Sequence, residues 1–336
     1  MTTRQVDILK QSIPTLLLTL ALLIVAQDLR VAKVVYPAEQ LSGVLSPLGV
    51  WMDAGLEGWG GMALSHLVLL VGAIVVTRIV SRYSLSVIRS FVPMVLYFIV
   101  AYGVLFPTHS PALMLSSLMM IISTEQMIMS FRRAESYGEV MKGAFWIGLA
   151  AAIVPDFVYV ALLLPLHWIL WQRSLREVVA AVIMLLLPIV PTSFGWWVAG
   201  EEVGWFAEQW WAGVTLPTLV DFEALYYGLG GLLPTILLGI IVLLSLVSIV
   251  VAFGDLRSMR TRARKGHIYF VVLYLMGVAM LLMDIPAAVA TSTMGFASVP
   301  LLHTLFVRRK GGVMAVIYVV VLALSLACSI LPIVSF

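Results

Sequence analysis

Asp28 follows directly on an apolar run, in IVAQDLRVAKVV, with Arg30 and Lys33 close behind it. A carboxylate so placed at a membrane surface can act as a general base. It can also help hold a hard divalent cation, such as Mg or Mn, that neutralises a phosphate leaving group. It can equally cap a helix end or pair with Lys33. His66 lies near the start of the second apolar run, and His109 lies in the turn PTHSP. Both are placed to approach the Asp28 side, and neither belongs to a spaced metal motif. His167 and His303 read as hydrogen-bonded packing residues, and His267 opens a run beside the basic stretch 257–265. Glu125, within SSLMMIISTEQMIMSF, is the carboxylate embedded in an apolar run. Acids at that depth ordinarily face a cavity or a partner, as a proton-coupled carrier requires. Arg132 and Arg133 follow about two turns later, which also places Glu125 near an interface. Asp156 sits beside Pro155 in the middle of a long apolar stretch. There is no GxSxG elbow, P-loop or HExxH.

The elements that carry these residues follow from composition. Of 336 residues, 62% are hydrophobic and 11% charged, against roughly 45–50% and 25% in soluble domains. The mean hydropathy is +1.08. This excludes a soluble enzyme, a disordered chain and a nucleic-acid-binding domain. The single cysteine, Cys328, excludes an internal disulfide. A spanning helix needs about 20 mainly apolar residues. Runs that qualify or nearly do so lie at 13–27, 62–79, 91–106, 112–130, 178–197, 232–253, 267–283, 289–306 and 313–333. The stretch 143–171 is too long for one upright span and short for two. Proline breaks the helix ladder there, so it is one kinked helix or a hairpin of short helices.

Charge decides for the hairpin. Cytoplasmic loops collect Lys and Arg. With the hairpin and an inner N-terminus, Arg30 and Lys33 alone among the 20 basic residues lie outside. The expectation is an all-α polytopic membrane protein of about eleven spans, N-terminus in and C-terminus out. Residues 1–336 form one membrane domain without a soluble domain, and the first run reads as an uncleaved span. The setting is the bacterial inner membrane. Basic inner loops satisfy topology and favour anionic lipid headgroups. Carboxylates gather on the outer side, as loop solvation or as a site for a cation or polar substrate.

Two outer loops are long. The first, 28–61, places Leu41, Val44, Leu45, Leu48 and Trp51 at helical spacing, as in a helix lying in the interface plane. The second, 198–231, carries Trp205, Trp210, Trp211, Tyr226 and Tyr227 beside five carboxylates and no Lys or Arg. It is an aromatic belt at headgroup level, or the lip of a lipid or sugar site together with Asp156.

The order of a span, a long interfacial loop, Arg-marked turns and then GAFWIGLAAAIVPDFVYVALLLPLHWILWQRSLREVVAAVIMLLLPIVP resembles an uncharacterised multi-pass inner-membrane family of Bacteroidota. The matching positions are Gly143, Gly148, Leu149, Ala150, Arg173, Arg176, Glu177 and Pro191. The pattern also resembles the membrane core of GT-C glycosyltransferases. That resemblance implies a polyprenyl-linked sugar donor at the outer face and a catalytic carboxylate in the first outer loop, here Asp28, with Asp53 or Glu57 as second choices. The paired acidic motif of that superfamily is absent, since Leu29 follows Asp28.

Three functions follow as expectations. The first is a glycosyltransferase-like enzyme of envelope biogenesis, with Asp28 as base, bordered by Arg30, His66, His109, Asp156 and the tryptophans. The second is a non-catalytic membrane subunit of an envelope-assembly or secretion complex, with a membrane-protein partner. The third is a small-solute or lipid transporter using Glu125. None of the three involves nucleic acid.

Overall fold

The computed structural model describes residues 13–33, 45–56, 58–83, 91–105, 110–131, 136–166, 174–222, 225–226, 229, 231–255, 259, 261–308 and 312–330. The described residues contain helices and no strand. In chain order the α-helices are α1 (Ile13–Lys33), α2 (Pro47–Gly55), α3 (Trp59–Arg82), α4 (Val92–Val100), α5 (Pro111–Ser130), α6 (Tyr137–Ile153), α7 (Leu175–Leu186), α8 (Ile189–Val198), α9 (Trp205–Ala212), α10 (Leu232–Asp255), α11 (Thr261–Leu282), α12 (Ala287–Arg308) and α13 (Gly312–Ile330). A π-helical turn, Ala101–Leu105, continues α4, and a 3-10 helix, Pro155–Leu162, follows α6.

Among the described residues, seven helices are long and apolar enough to cross a membrane: Trp59–Arg82, Pro111–Ser130, Leu175–Val198, Leu232–Gly254, Ala263–Leu282, Ala287–Val307 and Gly312–Ser329. Leu17–Asp28, Val92–Val104 and Pro155–Leu166 are shorter apolar segments. The chain is therefore a multi-pass membrane protein.

Burial identifies the axis of the bundle. The apolar window of α12 is 100% buried, whereas that of Leu175–Val198 is 17% buried and faces outward. The central helix is rich in Ser and Thr. Hydrocarbon offers such groups no water, so they bond back to their own helix. Thr291 donates to Ala287 O, Thr293 to Val289 O and Thr304 to Pro300 O. His267 joins this set, its two ring nitrogens 3.0 Å from Ala263 O and 3.1 Å from the Thr304 hydroxyl. His303 is wholly buried. Both histidines belong to the packed interior, while His167 lies outside the described residues.

α6 and α7 run side by side in the same direction. At their starts, the Ser136 amide donates to Glu177 Oε1 at 3.0 Å. Near their ends, Gly148 packs so closely that an added Cβ would lie 2.0 Å from Leu185 O. Two successive parallel helices require a return path between them, and the return begins at Val154. The residue before a proline is driven extended, and Val154 sits at φ −123, ψ 99. The described part of that stretch, 143–166, therefore leaves along α6 and turns at Pro155. α7 begins with a Ser174 cap on the Glu177 amide. The Glu177 side chain crosses to the neighbouring helix instead of closing a reciprocal cap on its own.

The ending of α6 organises the end of the bundle that carries Asp156. A helix leaves its last carbonyls without partners inside the helix. Here Trp210 Nε1 donates to Ala151 O at 2.6 Å, Ser46 Oγ to Ala152 O at 2.6 Å, and the Ser46 amide to Ile153 O at 2.9 Å. Both long loops are thus bolted to three consecutive carbonyls of one helix.

Candidate functional site

Asp28 and His66 meet at that same end. Asp28 lies in the last two turns of α1, and His66 two turns into α3. His66 Nε2 is 2.7 Å from Asp28 Oδ1, and its Nδ1 is 2.7 Å from the Tyr102 hydroxyl. An ionised carboxylate only accepts, so Nε2 carries the proton toward Asp28. In a neutral ring Nδ1 then accepts, and Tyr102 donates to it. Tyr102 comes from the π-helical turn, where the extra residue per turn breaks the regular helical register. The phenol is buried, the imidazole side chain is 16% exposed and the carboxylate 36% exposed. The result is a hydrogen-bonded line from the interior to a partly open carboxylate. It can hold the Asp28 carboxylate in one orientation.

The other sequence candidates are placed differently. Asp53, on α2, accepts from the Ser110 hydroxyl at 2.6 Å and from the Ala112 amide at 2.8 Å. It closes the start of α5, where unpaired amides and the helix dipole favour an anion. Burial pushes its carboxyl above the ordinary value, and the bonds from Ser110 and Ala112 pull it back down. Asp53 therefore holds the first loop to α5, and its geometry does not make it a second base.

Asp156 accepts from the Thr215 amide at 2.7 Å and from the Thr215 hydroxyl at 3.0 Å. Tyr159 donates to the Thr215 carbonyl. Asp156 is fully buried, so it fastens the second loop over the α6 turn and faces no vestibule. Trp210 is buried and bonded to Ala151 O, Trp205 packs against Trp196 at a 51° tilt with centroids 5.3 Å apart, and Trp211 is 68% exposed. Only Trp211 of the three presents most of its ring outward.

Glu125 is buried and paired with Arg78 of α3. The intramembrane acid is thus compensated by a cation that sequence reading counted only as a topological marker. Glu57 and His109 lie outside the described residues, as does the side chain of Arg30. Among the described residues no three His, Cys, Asp or Glu side chains come together. The described residues therefore do not gather a ligand set for Mg or Mn.

A groove of about 550 Å³ opens between α2 and α9, lined by Leu45, Pro47, Val50, Trp51, Trp196 and Gln209 among others. Its walls bring residues of the two long loops together with Trp196 of α8. Asp28 and His66 do not line it.

Sequence reasoning missed Tyr102, Arg78, Ser46 and Thr215. Arg78 alone had a usable signal, since a buried carboxylate demands a counter-charge on a neighbouring span. Tyr102 lies 36 residues from His66 and is brought to it only by helix packing.

Helix content, apolar length and burial define the class, a polytopic membrane protein with a carboxylate–imidazole–phenol line at one end. No protein-family model, curated protein or solved structure matches the chain.

Proposed function

We propose that the chain is an eleven-span inner-membrane protein of envelope biogenesis, GT-C-like in its membrane core, that handles a lipid-linked sugar at the periplasmic face. The observation that carries this reading is the Asp28–His66–Tyr102 line. A partly exposed carboxylate, oriented by a partly buried imidazole, suits general-base work at a membrane surface. Asp28 takes the proton from the acceptor hydroxyl as that oxygen bonds to the anomeric carbon. The bond from that carbon to the donor phosphate breaks, and the lipid phosphate leaves as the anion. His66 holds the carboxylate in place, and Tyr102 fixes the His66 tautomer. No step is assigned to a metal.

The test is transfer from a polyprenyl-linked donor in membrane vesicles. Asp28→Asn abolishes transfer while the protein stays folded; unchanged transfer removes Asp28 from the mechanism. The orientation is tested separately. Reporters fused near positions 136 and 175 read the cytoplasm, and one near 203 reads the periplasm.

A second reading is a non-catalytic subunit. It is favoured by the outward apolar face of Leu175–Val198, of which only 17% is buried. Crosslinking in native membranes then recovers one stoichiometric partner through that face. Recovery of the chain alone in every mild detergent overturns it.

A further inference from the structure

We infer that the groove between α2 and α9 seats the hydrocarbon tail of a zwitterionic bilayer phospholipid, a ligand distinct from any phosphate-linked sugar donor. The inference does not draw on the acid–base reading of Asp28.

The groove is built rather than incidental. Its two walls are short helices outside the long spans, and each is anchored to α6: Ser46 holds α2 on Ala152 and Ile153, and Trp210 holds α9 on Ala151. Ligand sites are largely preformed and mostly apolar, and this one meets both conditions. No ionisable side chain lines it; Gln209 supplies the amide, and the remaining lining is aliphatic, aromatic or backbone. An occupant of such a groove is hydrocarbon.

The groove also faces the source of that hydrocarbon. Trp196, in its wall, lies on α8 next to Trp197 and Val198, which are 49% and 67% exposed. That outward face belongs to a helix long and apolar enough to span the bilayer. Trp51 and Trp211 are exposed at the α2 and α9 sides, where indole rings favour headgroup level. A lipid tail can enter sideways from the bilayer without crossing water.

Charge selects the headgroup. Glu201 and Glu202 follow α8, with the Glu201 amide bonded to Trp196 O, and Glu208 precedes Gln209 in the wall. All three are exposed or partly exposed. Every described Lys or Arg side chain (Arg78, Arg82, Lys142, Arg176, Arg264 and Lys265) lies toward the opposite end of its helix bundle. The local excess of carboxylates repels a net anionic headgroup and accepts the ammonium of an ethanolamine headgroup.

The experiment reconstitutes the full chain in phosphatidylethanolamine vesicles. They carry traces of a phospholipid with a photoactivatable diazirine on its acyl tail, in ethanolamine or glycerol headgroup form. Crosslinks concentrate in the peptides holding Trp51 and Gln209, and the ethanolamine form labels them about tenfold more than the glycerol form. Ala54→Trp with Ala212→Trp, both groove-lining and exposed, fills the space and removes this labelling. Val203→Trp, at a site 81% exposed and outside the lining, leaves it intact. Labelling spread evenly over the exposed spans, or unchanged in the filled variant, overturns the site. Equal labelling by the two headgroups overturns the selectivity. If the filled variant does not fold, unlabelled lipids compete for the groove of the unaltered chain. Ethanolamine lipid then suppresses the labelling more strongly than glycerol lipid, and suppression by neither overturns the site. Lipid labelling reads no sugar transfer, so it succeeds or fails separately from the Asp28 experiment.

Discussion

The His66 imidazole bridges Asp28 and Tyr102, 2.7 Å from each, although 38 residues separate His66 from Asp28. Its tautomer follows from the carboxylate, which can only accept. Under the proposed function, His66→Ala removes the bridge that orients Asp28 and lowers sugar transfer by about 10–10²-fold. Tyr102→Phe removes one hydrogen bond and lowers transfer about tenfold. Rates for both variants in the same vesicles check the order. Equal rates for Tyr102→Phe and the unaltered chain would detach the phenol from the line.

Arg78 and Glu125 form an ion pair of unequal partners, with side chains 52% and 3% exposed. Removing the arginine strands a buried carboxylate, which costs about 3–5 kcal/mol. Removing the glutamate leaves a half-exposed guanidinium that can reach the interface, which costs at most about 1 kcal/mol. Unfolding of Arg78→Met and Glu125→Met in detergent measures the asymmetry. The double variant is milder than Arg78→Met alone. Equal losses in the two single variants would mean that the arginine is as confined as the acid.

The Trp210 and Ser46 bonds to α6 are the joints of both outer loops. Trp210→Phe keeps an aromatic ring and loses the donor, leaving Ala151 O unpaired, at about 1–3 kcal/mol. Ser46→Ala does the same to Ala152 O. Limited proteolysis shows faster cleavage within 199–222 for Trp210→Phe and slower or unchanged cleavage there for Ser46→Ala. Identical digestion patterns for all three proteins would dismiss the anchoring role.

Gly148 permits the close approach of α6 to α7. An alanine there brings Cβ within 2.0 Å of Leu185 O, a backbone atom that cannot turn aside. Gly148→Ala therefore forces the helices apart, at about 1–3 kcal/mol. Gly138, in the same helix, has nothing within 4 Å of an added Cβ. Gly138→Ala serves as the comparison and shifts stability by no more than about 1 kcal/mol. Thermal unfolding of the two variants separates packing from propensity.

Much of the architecture was legible along the chain because hydrocarbon imposes it locally. A spanning helix must satisfy its own backbone, so length and apolarity mark it, and Pro155 marks a break wherever it occurs. Described helices fall on each of the nine apolar runs, and the chain turns at Pro155 within 143–171. The candidate site was legible only in part. Asp28 and His66 were recognisable as chemistry-bearing side chains, but nothing in their spacing says that they touch.

Tertiary packing decided how each carboxylate is used, because the fate of a buried charge depends on which neighbour reaches it. Asp53 went to the start of α5, Asp156 to Thr215 and Glu125 to Arg78, while Asp28 kept a partly open face against His66. Desolvation penalises an uncompensated charge wherever it lies, and its compensating partner comes from a distant segment. Composition and periodicity therefore determined that this chain enters a membrane and roughly where. The contacts among separate helices determined which neighbour each of these carboxylates meets.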